Sequence, residues 1–249
     1  KVRCWKGPGA PRPVATRTRG QALAPMAACA AIPAIGHAAD RETPVRIVTV
    51  LPVKPPELTE FLPVMKENAR VARAHPGNQA FSVFMDTESP ATLYLFESWD
   101  SLPDLADFMK TDTQQALATL EQSTLSGEAL SLHLSDVPDT PAYNGSPLET
   151  TEDAQTLVVR FQVRPQERAA FIAAFHDVIP IVRADRHTEA YDLFHVGGRP
   201  DNFILLGRWH DAAAYEKYQR QPSIRKLRQI LPAMLKRASE RHELHDVTV

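Results

Sequence analysis

The sequence predicts an α+β protein: two ferredoxin-like β-α-β-β-α-β repeats that pair inside one chain as an α+β barrel. Two observations predict it. The chain repeats itself at a single offset of 110 residues, and each copy reads in the same order of strands and helices. Composition agrees. Of the 249 residues 43% are hydrophobic and 23% charged, ordinary proportions for a globular protein. The length suits two domains of ~100 to 125 residues.

The offset holds without a gap. Val53-Lys54-Pro55 falls on Val163-Arg164-Pro165, Phe61 on Phe171, Arg73-Ala74 on Arg183-Ala184, Phe84 on Phe194, Trp99 on Trp209, and Asp136-Val137 on Asp246-Val247. One constant spacing over more than ninety positions divides the chain into a leader (residues 1–39), repeat one (46–137), a linker (138–155) and repeat two (156–247). The linker is rich in Pro, Thr, Gly and acid, the composition of a solvated connector.

Each element follows from local chemistry. Arg46 to Val53 and Thr156 to Val163 are β-branched runs that stop before Pro, and predict strands. Pro55 and Pro165 suit the first turn of a helix, where Glu57 and Glu167 favour its positive end. Ala170, Ile172, Ala173, Phe175, Ile179 and Val182 recur at helical spacing, and Pro180 is expected to kink that helix. Gln79 to Asp86 and Glu189 to Val196 predict second strands. Third strands end at Trp99 and Trp209. A second helical region runs through Leu125 and Leu235 with breaks near Asp112 and Pro222. Glu128 to Asp136 and Ser239 to Asp246 close each repeat as a fourth strand. Both helical regions cover one face of each sheet, so the two bare faces are expected to bury each other.

Charge separates the segments. The leader carries six basic residues and no acid, residues 40–150 are at −10, and residues 151–249 are at +2. The body past the leader is therefore acidic, which repels phosphate backbones and argues against nucleic acid as a partner. No stretch offers the ~20 apolar residues of a membrane span. Within the leader, Arg17 and Arg19 precede the small apolar run Ala22 to Ala39, the layout of a secretory signal peptide, although Pro25 and Pro33 interrupt it. An exported or periplasmic protein follows if that segment is genuine, and a cytoplasmic one otherwise. The two cysteines, Cys4 and Cys29, both lie in the leader, so the body has no thiol nucleophile or sulfur ligand. Six of the nine histidines lie in repeat two, but no His-x-x-x-His pair falls on one predicted helix, and no metal site is expected. Gly197-Gly198 reads as a turn, not a phosphate loop.

The strand end Phe96-Glu97-Ser98-Trp99-Asp100 and its counterpart Gly207-Arg208-Trp209-His210-Asp211, followed by Tyr215 and by Leu227-Arg228-Gln229-Ile230-Leu231, form a pattern. It resembles the antibiotic biosynthesis monooxygenase family of dimeric α+β barrels, here duplicated in one chain. The resemblance implies oxidation of a phenol or quinol by O2 with no metal or flavin cofactor. A deprotonated substrate between sheet and helices would donate an electron to O2. It implies a Trp at the end of the third strand, an Arg on the last helix and an Asn four residues before the Trp. Trp209 and Arg228 match the first two. Leu205 and Leu95 stand at the Asn position, and Ala118 replaces the Arg in repeat one. Repeat two is therefore the expected working half. Haem-degrading relatives use a His on the second helix, and neither Leu105 to Met109 nor Tyr215 to Gln219 contains one.

The candidate catalytic residues are Trp209, Arg228, His195 and Tyr218. Each has a structural alternative. Trp209 reads equally as a core anchor, and Arg228 sits among Arg225, Lys226, Lys236 and Arg237 as on a solvated basic face. His195 shares a strand face with Tyr191 and is a candidate general base. Tyr218 stands at the relatives' His position and could donate to a phenol. Two functions remain open from sequence: an enzyme of this monooxygenase type acting on a small aromatic or quinol-like substrate, and a non-catalytic relative binding a small hydrophobic or aromatic ligand. Whether the chain pairs further as a homo-oligomer is also open.

Overall fold

A computed structural model describes residues 43–143, 151 and 153–247. The signal-like leader and residues 144–150 of the linker lie outside the described residues. Repeat one comprises β1 (Val45–Pro52), α1 (Leu58–Ala74), β2 (Asn78–Asp86), β3 (Thr92–Trp99), α2 (Leu102–Phe108), α3 (Asp112–Thr124) and β4 (Leu130–Asp136). Repeat two comprises β5 (Gln155–Gln162), α4 (Arg168–Arg183), β6 (Thr188–Val196), β7 (Asn202–Trp209), α5 (Ala212–Arg220), α6 (Pro222–Met234) and β8 (Glu240–Asp246). Pro55 and Pro165 open short 3-10 turns that lead into α1 and α4, as a residue with fixed φ and no N–H should. Pro180 does not end α4, which runs on to Arg183. The second helical regions break where expected. Thr111 caps α3 by accepting from Gln114 N–H, and Gln221 separates α5 from α6.

The two bare faces do more than stack. Each repeat forms a four-stranded antiparallel sheet, β4-β1-β3-β2 and β8-β5-β7-β6, and the sheets join edge to edge into one closed eight-stranded barrel. The joints are β2 with β8 (Phe84 opposite Asp246) and β4 with β6 (Asp136 opposite Phe194). Closure removes the four free edges that two separate sheets would expose. Alternation along the strands then sorts the apolar residues into three clusters. Phe84, Tyr94, Phe96, Leu134, Phe194, Ile204 and Leu244 fill the barrel. Leu95, Trp99, Phe61 and Phe108 pack between sheet and helices in repeat one, and Leu205, Trp209, Phe171 and Tyr218 do so in repeat two.

The repeats use the same interior position for a buried arginine but place it on different strands. Arg46 on β1 lies opposite Ser98 on β3, whereas Arg208 on β7 lies opposite Thr156 on β5. Arg46 pairs with Asp136 at 3.2 Å. Arg208, 0% exposed, donates to Glu189 at 2.7 Å, Thr156 Oγ1 at 2.7 Å and Asp246 at 3.2 Å. The linker also differs from a wholly solvated connector. Tyr143 is buried in the barrel cluster, with Phe96 and Phe194 at 5.7 and 5.9 Å and the Arg46 guanidinium 5.0 Å over its ring. A linker with one large aromatic can plug a barrel end because the barrel offers apolar walls there.

Candidate active site

Both repeats bring a tryptophan to the same place, the last residue of the third strand under the helices. In repeat one, β3 alternates so that Leu93, Leu95 and Glu97 face the helices and Tyr94 and Phe96 face the barrel. Glu97 is thus a carboxyl on an apolar layer, 5% exposed. Trp99 Nε1–H donates to Glu97 Oε2 at 2.9 Å, and the indole stacks on Phe108 with centroids 4.9 Å apart. Burial pushes the Glu97 carboxyl up to about 7, and the Trp99 hydrogen bond opposes that rise.

The helices add polar groups to the same space. Phe61, Met65, Asn68, Ala69 and Ala72 form the buried stripe of α1, and Asn68 is the polar member, 0% exposed. Gln114, Leu117, Glu121 and Thr124 form the stripe of α3. Asn68 Nδ2–H donates to Gln114 Oε1 at 2.8 Å, while Asn68 Oδ1 is buried without a hydrogen-bond partner. Thr49, Asn68, Glu97, Gln114 and Glu121 line a closed space of about 10 Å³ together with Leu95 and Phe108. That is room for about one water. An unpartnered buried amide oxygen beside a carboxyl near neutrality marks a polar cavity and not a dry core.

Repeat two answers each polar group with an apolar one. At the 110-residue offset Thr49, Asn68, Glu97, Gln114 and Glu121 become Val159, Val178, Gly207, Ile224 and Leu231. Trp209 occupies the room that Glu97 takes in repeat one: a Cβ on Gly207 would come within 2.6 Å of Trp209 Cη2. With no carboxyl below it, Trp209 Nε1 is buried without a hydrogen-bond partner. The rings of Tyr218, Tyr215 and Tyr191 surround Trp209 at 4.4, 4.9 and 6.2 Å. The hydroxyls of Tyr191 and Tyr218 hydrogen-bond each other at 3.2 Å. Burial raises both tyrosines above the ordinary phenol value, and the guanidiniums of Arg228 and Arg241 oppose the rise at Tyr218.

Of the four candidates from sequence, three therefore meet. Trp209 and Tyr218 pack with centroids 4.4 Å apart, and the Arg228 guanidinium lies 5.9 Å from the Tyr218 ring centroid on the exposed side of α6. His195 stands apart. It is four residues from Tyr191, about 13 Å along the strand, and packs at 5.5 Å on Phe203 at the other end of the sheet. Leu205, at the expected Asn position, is 3% exposed and belongs to the packed cluster around Trp209. Asn68, Gln114, Glu97 and Glu121 were not singled out from the sequence, although Glu97 stands in the quoted strand-end pattern. The signal for them was available. They are polar residues that interrupt apolar stripes, at positions where the second repeat is apolar. Among the described residues no group of three or more His, Cys, Asp or Glu is placed to hold a metal ion, and no helix is long and apolar enough to cross a membrane.

Comparison with known proteins agrees with this architecture. The model of the antibiotic biosynthesis monooxygenase family matches residues 44–120 and again residues 154–229. A 53-residue stretch is 32% identical to "Putative monooxygenase YcnE" of Bacillus subtilis (strain 168); it is 21% of this chain and about half, 56%, of that relative. Among solved structures, the "putative monooxygenase" of Lactobacillus acidophilus NCFM superposes with a TM-score of 0.69 at 12% identity, over 83% of this chain and 95% of that one. The corresponding protein of Fusobacterium nucleatum gives 0.72 at 13% identity, over 82% and 92%. Identities this low establish the shared fold alone. The two family matches fall one on each repeat and together span more than half of the sequence, so the chain belongs to the antibiotic biosynthesis monooxygenase family and carries its domain twice.

Proposed function

We propose that this protein is a cofactor-independent monooxygenase that oxidises a phenol or quinol with O2, and that repeat one holds the working site. The observation that carries the proposal is the buried Glu97 carboxyl, raised to about 7 and held by Trp99 Nε1–H at 2.9 Å. A general base works best when its pKa lies near the operating pH. In this reading Glu97 takes the phenolic proton. The phenolate then gives one electron to O2, and the two radicals combine at the ring carbon. The peroxide takes the proton back from Glu97, and loss of water leaves a carbonyl. Atoms balance as a phenol plus O2 giving a quinone plus water. Asn68 Oδ1 can accept from the second hydroxyl of a quinol, and Gln114 Oε1, which accepts from Asn68 Nδ2–H, holds that amide in position. The closed space of about 10 Å³ accepts O2 or water as it stands. A quinol is larger than this space, so its binding requires α2 and α3, which supply Phe108, Gln114, Leu117 and Glu121 to the lining, to open from the sheet.

The reading that places the work in repeat two rests on Trp209, Tyr218 and Arg228, and the packed Leu205 and Trp209 leave it without a carboxyl. The non-catalytic alternative, binding of a small hydrophobic or aromatic ligand, is favoured by the small size of the space beside Glu97. Oxygen uptake against hydroquinones and naphthols, without added metal or flavin, separates the two. The proposal expects turnover that falls when Glu97 is replaced by Gln. Saturable binding of the same compounds with no oxygen uptake would leave the alternative standing.

A further inference from the structure

The open mouth of the barrel holds a second cleft, apart from the Glu97 pocket. It is about 140 Å³ and is lined by three arginines, Arg160, Arg199 and Arg237, over the buried apolar side chains of Leu132, Val196 and Ile204. Among the described residues no carboxylate lines it. Glu240, just outside, pairs with Arg160 at 2.7 Å and with Arg237 at 2.8 Å, so one carboxylate serves two guanidiniums. Arg199 has no ion-pair partner among the described residues. The surplus of positive charge is not a by-product of the duplicated fold, because the counterparts in repeat one are Val50, Ser89 and Gly127.

We infer that this cleft binds a small organic carboxylate. A guanidinium offers paired N–H donors that match a carboxylate, and it stays charged at any working pH. The aliphatic stems of the arginines and the small exposed edge of the apolar floor receive a compact hydrocarbon body. The volume is close to the ~150 Å³ of a cavity that admits a benzene ring. A ligand of benzoate size thus sets its carboxylate against the guanidiniums and its ring among the arginine stems, with only an edge reaching Leu132, Val196 and Ile204.

Benzoate titrated into the full chain, followed by amide NMR, tests this, with benzyl alcohol and inorganic phosphate as comparators. The expected result is saturable millimolar or tighter binding that shifts the amides of Arg199 to Ile204, with benzyl alcohol weaker by about tenfold or more. Arg199→Gln, which breaks no ion pair, is expected to weaken benzoate by about tenfold and to leave thermal unfolding unchanged. Equal binding of benzoate and benzyl alcohol, indifference to Arg199→Gln, binding of phosphate alone, or no binding at all would each overturn the assignment. None of these readouts depends on oxygen uptake, so they stand apart from the activity proposed for repeat one.

Discussion

Trp99 and Trp209 occupy the same position in the two repeats, yet Trp99 Nε1–H meets the Glu97 carboxylate at 2.9 Å and Trp209 Nε1 meets nothing. The cause is one substitution, Glu97 against Gly207. In repeat one the indole holds a titratable group in an apolar layer. In repeat two the indole lies over a bare backbone, and three tyrosine rings close around it. Between sheet and helices, repeat one holds a polar cavity and repeat two a packed apolar core.

Stability should record the buried carboxyl. The folded pKa of Glu97 is about 7, above the ordinary value of 4.5, so between those values the native state holds a proton that the unfolded chain releases. The contribution of Glu97 to stability is therefore full below about pH 4.5, falls as pH rises, and is lost above about 7. The full drop is on the order of 3 kcal/mol. Chemical denaturation across pH 5 to 8 should show Glu97→Gln flattening that part of the profile and matching or exceeding the parent at the alkaline end.

Repeat two should resist even a methyl group beneath its indole. Gly207→Ala puts a Cβ within 2.6 Å of Trp209 Cη2. The expected loss is ~1 to 3 kcal/mol, the range for overpacking a filled core. Urea unfolding measures it, and the fluorescence of Trp209 should change with the displaced ring.

Arg208 should be the most sensitive charge inside the barrel. Its removal leaves Glu189 and Asp246, 9% and 1% exposed at their side chains, without the guanidinium between them. Arg208→Ala is expected to destabilise by ~3 to 5 kcal/mol. Arg46→Ala should do less, because Asp136 is 40% exposed and water can take over.

The fold was legible because duplication wrote it twice. Strand ends at Trp99 and Trp209, prolines at the helix starts and the breaks at Asp112 and Pro222 all fall where local chemistry places them. What the offset does not carry is any contact between repeats. The β2–β8 and β4–β6 joints and the burial of Tyr143 arise only when two sheets meet. The candidate site was half legible. Tryptophan and arginine in the family pattern point to Trp209 and Arg228 in repeat two, while the polar lining of repeat one lies in the mismatches of the offset, where Asn68 aligns with Val178 and Glu121 with Leu231. A polar residue on a buried helical stripe carries more information than an arginine on an exposed one, since burial without a partner is costly.

The central claim is that chemistry resides at Glu97 in repeat one. Oxygen uptake on one hydroquinone, compared among the parent, Glu97→Gln and Arg228→Ala, tests it most directly. The expected result is a fall of about 10²-fold or more for Glu97→Gln, the usual contribution of a general base, and a rate for Arg228→Ala within about twofold of the parent, since surface substitutions have small effects. A parent-like rate for Glu97→Gln alongside a large loss for Arg228→Ala would contradict it and return the site to repeat two.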